Sequence, residues 1–173
     1  MSTGHVEYAS LNGTHIFKLI GEVRAHSCIS LDKLLNKIEQ QQNVVGAIVD
    51  LTQTTFIDCT VLGVLAKLGL KLKQIHKIQA VMLSTNQDIT TLANSMGLGQ
   101  VFVILNYCGD PSLCTLELTE EYVTHSAMLN TVLDAHKTLM RLNQNNQNMF
   151  EPLVKQLQKE QDCLNLDTHK QNA

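Results

Sequence analysis

The run VVGAIVDL, Val44 to Leu51, constrains the fold more than any other stretch. It is a nearly unbroken aliphatic series rich in β-branched residues. A strand with one wet face alternates apolar and polar residues; an unbroken run suits a central strand covered on both faces. Central strands of that kind occur in sheets whose parallel strands are joined by helices.

The neighbouring segments fit such a sheet. His5 to Ala9 and Thr14 to Ile20 are strand-like and flank Asn12-Gly13, a dipeptide suited to a tight hairpin turn. Ile29, Leu31, Leu34, Leu35 and Ile38 recur at helical spacing, with Ser27 or Ser30 placed to cap the helix. A second helical stripe runs through Val61, Leu62, Leu65, Leu68, Leu72 and Ile75, with Lys67, Lys71 and Lys77 assigned to its solvated faces. IQAVMLS, from Ile78, is another buried strand. Asn86 or Asp88 begins a third helix that Gly97 ends, and VFVIL, from Val101, is the last short strand. Strands alternating with single helices imply an α/β layered fold with a mixed, mostly parallel sheet of four to five strands packed against helices.

Charge and composition exclude several function classes. The chain has 173 residues, with 13 Lys and Arg against 16 Asp and Glu, a net charge of −3. That balance offers no broad basic face for nucleic acid. No apolar run is long enough to cross a bilayer, and the first residues carry no secretion signal. The five cysteines include no CxxC pair, which points to reduced thiols and a cytoplasmic setting. The seven histidines show no ligand spacing, so neither metal nor cofactor is expected.

The stretch FIDCTVLGVL, Phe56 to Leu65, carries the chemistry. It sets the polar triplet Asp58-Cys59-Thr60 between a strand-like and a helix-like run. Thr60 falls where the strand must turn into a helix, which puts its hydroxyl near the surface. As a bare triplet it reads more readily as an ordinary helix cap. A phosphate there would add about −1.5 to −2 charges, partly stabilised by the free N–H groups of the helix start. A partner pressed against Leu62 and Gly63 would have to bury that charge, at a cost far above the worth of one hydrogen bond. Cys59 is an alternative reactive group, as a thiol nucleophile of a peroxidase, but no general base or resolving cysteine is placed for it.

An aliphatic strand ending in Asp50-Leu51, a Phe-Ile-Asp, a small or hydroxyl pair and then Leu-Gly-Val-Leu is similar to the signature of STAS domains. Within them the chain most resembles the bacterial anti-sigma factor antagonists. Gly21-Glu22-Val23 and Ser95-Met96-Gly97-Leu98 fall in the expected order, and the resemblance covers roughly residues 5 to 110. It implies a STAS domain over residues 1–111, followed by a helical C-terminal extension over 112–173. It also implies a non-enzymatic partner switch in stress or envelope signalling. The acceptor, Thr60, is phosphorylated by an anti-sigma factor that is a Ser/Thr kinase of the histidine-kinase-like ATPase type. A PP2C-type phosphatase reverses the step, and the unphosphorylated form binds the anti-sigma factor and frees a sigma factor. Arg24, Asp50, Asp58, Cys59, Val61, Leu62 and Gly63 form the expected partner surface. The chain departs from the family at Val61, where Gly is common, at Cys59, where Ser is, and at Arg24, where an Asp often stands. The second reading is a constitutive STAS subunit that docks on an ABC-transporter ATPase in lipid transport.

Beyond that region, Leu118 to Leu142 reads as one long helix with Tyr122, Leu129, Val132, Leu133, His136, Leu139 and Met140 on one side. The Asn/Gln run at 143–148 breaks it, and Glu151-Pro152 suits the first turn of a second, short helix. The pair is expected to fold as a hairpin, and its length would allow a homodimer through these helices.

Overall fold

The computed structural model describes residues 4–106 and 115–171, with side chains to 166. The expected end of the first domain near residue 111 lies outside the described residues. The elements in chain order are β1 His5–Leu11, β2 Thr14–Val23, α1 Cys28–Glu39, β3 Gly46–Ile57, α2 Cys59–Lys71, β4 Ala80–Leu83, α3 Gln87–Ser95, β5 Phe102–Leu105, β6 Leu116–Glu117, α4 His125–Met140 and α5 Gln144–Gln171. The described strands form one sheet in the order β5-β4-β3-β2-β1-β6. Pairing is parallel from β2 through β5 and antiparallel at β1–β2 and β1–β6. The α/β layered fold is thus as the pattern implies, with the two-residue β6 as an added edge strand.

Asn12 and Gly13, at φ 49° and 81°, make the hairpin turn that joins β1 to β2. A side chain on Gly13 would stand 2.3 Å from the Asn43 carbonyl oxygen, so the turn also seats the loop entering β3. β3 is the central strand, but only one of its faces is sealed. Ala47, Val49 and Leu51 join the core with Phe17, Leu19 and residues of α1 to α5. The opposite row, Ile16, Ile48, Val81 and Val103 in register across four strands, lies outside that core. Ile48 and Val81 are half-buried and Val103 is exposed. The aliphatic run therefore exceeds what burial requires.

α2 is buried nearly all round, from Thr60 through Gly69. Lys67 does not face open water; its ammonium lies 2.9 Å from both Asp32 of α1 and Asp134 of α4. Lys71 pairs with Glu39 of α1 at 2.6 Å. Both lysines tie α2 sideways to its neighbours.

The tail differs from its sequence pattern at three points. Residues 118–124 are not helical, and Tyr122 is fully exposed. Instead the segment lies against α1: Ser30 Oγ donates to the Thr119 carbonyl at 2.6 Å and Ser27 Oγ to Glu120 at 3.4 Å, so neither serine caps α1. The helix does break, at residues 141–143, but the rest of the Asn/Gln run, from Gln144, starts α5. Asn143 Oδ1 accepts from Asn146 N at 2.8 Å, and the Asn146 amide group donates to the carbonyls of Met96 and Leu139, both at 2.8 Å. Pro152 accordingly sits inside α5, which at 28 residues is the longer of the two tail helices.

Candidate functional site

The site forms where β2 and β3 end and α2 begins. Register shifts between Lys18 and Ile20 and between Gly21 and Glu22 each leave one extra residue on β3, beside Gly21 of β2 at φ 70°. Glu22 and Val23 then lie opposite Phe56 and Ile57. The chain beyond Val23 therefore meets the start of α2. Asp58 joins the two segments: its Oδ1 accepts from Val61 N at 2.9 Å and its Oδ2 from Ala25 N at 2.7 Å. Asp58, not Thr60, is the cap of α2.

Thr60, in the first turn of α2, is only 4% exposed, against the surface position its sequence context suggests. Helical periodicity explains the difference. Seven residues separate Thr60 from Lys67, which puts them within about 20° on the helix surface. Lys67 bridges α1 and α4, so Thr60 lies two turns below it, in the seam between those helices. Among the described residues nothing hydrogen-bonds to the Thr60 hydroxyl. Among the described residues the polar side-chain atoms that are both sealed and unpartnered are His15 Nε2, His76 Nε2 and Asn146 Oδ1, and the Thr60 oxygen is not one of them. The hydroxyl keeps a narrow contact with water and has no structural bond to lose.

The expected partner surface divides. Val61 and Leu62 are core residues with 0% exposure. Gly63 is the crossing point of α2 and α4, where a Cβ would stand 2.4 Å from the Ala135 carbonyl oxygen. Arg24 is exposed, with its guanidinium 4.3 Å above the Phe56 ring and 3.0 Å from Glu22. Asp50 stands apart from the rest. β3 continues past it to Ile57, about 20 Å of extended chain, and its carboxylate accepts locally from Thr52 N and Thr52 Oγ1 at 2.8 and 2.6 Å.

One neighbour was invisible in the sequence. Cys59 Sγ lies 3.0 Å from His136 Nε2, seventy-seven positions away on α4. His136 Nδ1 is 2.8 Å from the Val132 carbonyl, which can only accept, so Nδ1 carries the proton and Nε2 receives the thiol hydrogen. Burial pushes the Cys59 thiol above its usual range, and the Asp58 carboxylate adds to the effect. That is the opposite of an activated nucleophile. Only the helical register of α4, with His136 on its apolar stripe, could have hinted at the contact. Among the described residues no three metal-capable side chains come together.

These shifts predict an alkaline weakening. Cys28, the buried first residue of α1, is pushed well up by burial, then by Asp58 and Asp32. Burial alone would lower Lys67, but its hydrogen bonds to Asp134 and Asp32 hold it above its ordinary range. The folded state thus keeps thiol protons that the unfolded chain releases above about pH 8.5. Their contribution is full below that pH and falls as pH rises through the folded values, and Lys67 acts in the same direction at higher pH. The urea midpoint should drop as the solution is taken from about pH 8 to 10, and Cys28→Ala should flatten the slope. A midpoint unchanged across that range would contradict the buried thiols.

The family model of the STAS domain matches residues 5–116. Comparison with curated proteins gives no match. The structure of the anti-sigma factor antagonist SpoIIAA in its unphosphorylated form superposes with a TM-score of 0.51, covering 58% of this chain and 88% of that one at 16% identity. The Bacillus cell fate determinant SpoIIAA in the phosphorylated form gives 0.50, over 58% and 91%, also at 16% identity. At such identity the likeness is one of fold. No helix among the described residues is long and apolar enough to cross a membrane.

Proposed function

Because the chain belongs to the STAS family, we propose that it is a phosphorylation-controlled binding module acting as an anti-sigma factor antagonist, with Thr60 as the acceptor. The observation that carries this reading is the division of labour in Asp58-Cys59-Thr60. Asp58 supplies both bonds that hold the start of α2. Thr60 is left as a hydroxyl with no structural duty at the end of a helix whose free N–H groups favour added negative charge. The fold it shares with SpoIIAA, solved in both phosphorylated and unphosphorylated forms, supports the same assignment.

The unphosphorylated chain binds a kinase of the histidine-kinase-like ATPase type, and a PP2C-type phosphatase restores that form. A phosphate at Thr60 would bring close to two negative charges beside Asp58 and against the buried first turn of α2. Repacking that seam around an unpaired dianion is costly, so the phosphorylated face no longer accepts the partner. The Cys59 thiol, pushed up by burial, supports a binding role rather than thiol chemistry.

The test is phosphorylation by the histidine-kinase-like ATPase kinases encoded in the same genome, with ATP and peptide mass spectrometry. Phosphate should appear on the peptide containing Thr60 and vanish in Thr60→Ala. Equal phosphate on both proteins ends the assignment.

A further inference from the structure

We infer that the α4–α5 hairpin is a built-in cover over the switch face, so that Thr60 becomes available only when α4 lifts from Gly63. This rests on the reading of Thr60 as acceptor and adds its regulation. Three contacts place α4 along one side of α2: His136 on Cys59, Ala135 on Gly63 and Asp134 on Lys67. Those α2 residues follow one another at i, i+4 and i+8, a stripe along the helix, and Thr60 adjoins its edge. α4 and α5 both lie beyond the residues that the family model matches.

The cover is held unequally at its two ends. At the α4–α5 turn, the Asn146 amide is fully buried and bonds the carbonyls of Met96 and Leu139, while Gln100 Nε2 donates to the Leu142 carbonyl at 2.8 Å. Buried bonds of that kind are expensive to leave unmade. At the other end, the segment leading into α4 is held to the start of α1 mainly by exposed polar and charged groups. Lys33 pairs with Glu121, and His26 lies 3.1 Å from Glu120. Exposed pairs are weak and screened by salt. Opening therefore starts at the leading segment and pivots about the buried Asn146 turn. Cys59 reports on it, because its partner sits on the moving helix, whereas Cys28 in the core reports global unfolding.

The experiment alkylates the full-length protein with iodoacetamide and follows Cys59 and Cys28 separately by peptide mass spectrometry. Asp134→Lys sets a like charge against Lys67 on an exposed position of α4. It should speed Cys59 alkylation at least fivefold with Cys28 unchanged, and speed phosphorylation of Thr60 by a similar factor. Asp134→Asn, which adds no charge near the thiol, should move both in the same direction by less. In the wild-type chain, amides of α4 should exchange hydrogen faster than those of β2 and β3. The cover is refuted if Cys59 accelerates only in step with Cys28, if α4 exchanges as slowly as the central strands, or if Cys59 opens while Thr60 phosphorylation stays constant. If no form accepts phosphate at Thr60, the acceptor assignment fails, and the ratio of Cys59 to Cys28 alkylation still decides whether the cover opens.

Discussion

Gly63→Val lowers the melting temperature by roughly 6–12 °C. The Cβ alone would come within 2.4, 2.6 and 2.7 Å of the Ala135 carbonyl oxygen, carbonyl carbon and Cβ. The first two are backbone atoms that cannot rotate away, so α4 must move outward, and overpacking of this kind costs about 3 kcal/mol. A matched control exists in the central strand. A Cβ on Gly46 meets nothing closer than Thr14 side-chain atoms at 3.8 Å, and Gly46→Val should leave the melting temperature within a few degrees. Equal melting temperatures for Gly63→Val and the wild-type chain would mean that α4 does not cross α2 at that glycine.

Asp58→Ala should cost about 2–4 kcal/mol in urea unfolding. Loss of a helix cap typically costs about 1 kcal/mol. The abandoned Ala25 N–H adds about 1–3 kcal/mol if it stays dry. Because the two amides use different oxygens of the carboxylate, Asp58→Asn can satisfy only one of them and should fall between. A change below about 0.5 kcal/mol for Asp58→Ala, the range of ordinary surface substitutions, would remove Asp58 from its place as the joint between the two segments.

The fold was largely legible because its signals are local and repeated. Asn12-Gly13 marks a hairpin, Asn86 caps α3 through Asp88 N and Ile89 N, and Gly97 ends that region at φ 82°. The triplet Asp58-Cys59-Thr60 marked the strand-to-helix corner, but it could not say which residue caps the helix. That depends on Ala25, which the register shifts between β2 and β3 bring to the carboxylate. Burial of Thr60 was hidden for a similar reason. It follows from α4, whose approach is set by a glycine on one helix and an alanine on the other, a small-to-small contact without an apolar pattern of its own. The surface around Val61 and Leu62 was misjudged because an all-round aliphatic helix can face a partner or a neighbouring helix, and here a neighbour covers it. The Asn/Gln run marked the break between α4 and α5 but placed the second helix too late, because Asn is a weak helix former on average, whereas Asn146 is fixed by two buried carbonyls.

The most direct measurement compares the affinity of the phosphorylated and unphosphorylated chain for the kinase that modifies Thr60. Binding should be at least tenfold weaker after phosphorylation, about 1.4 kcal/mol, with Thr60→Ala unable to make the transition. Equal affinities for the two forms would contradict it, since a face that tolerates the added charge is not a switch.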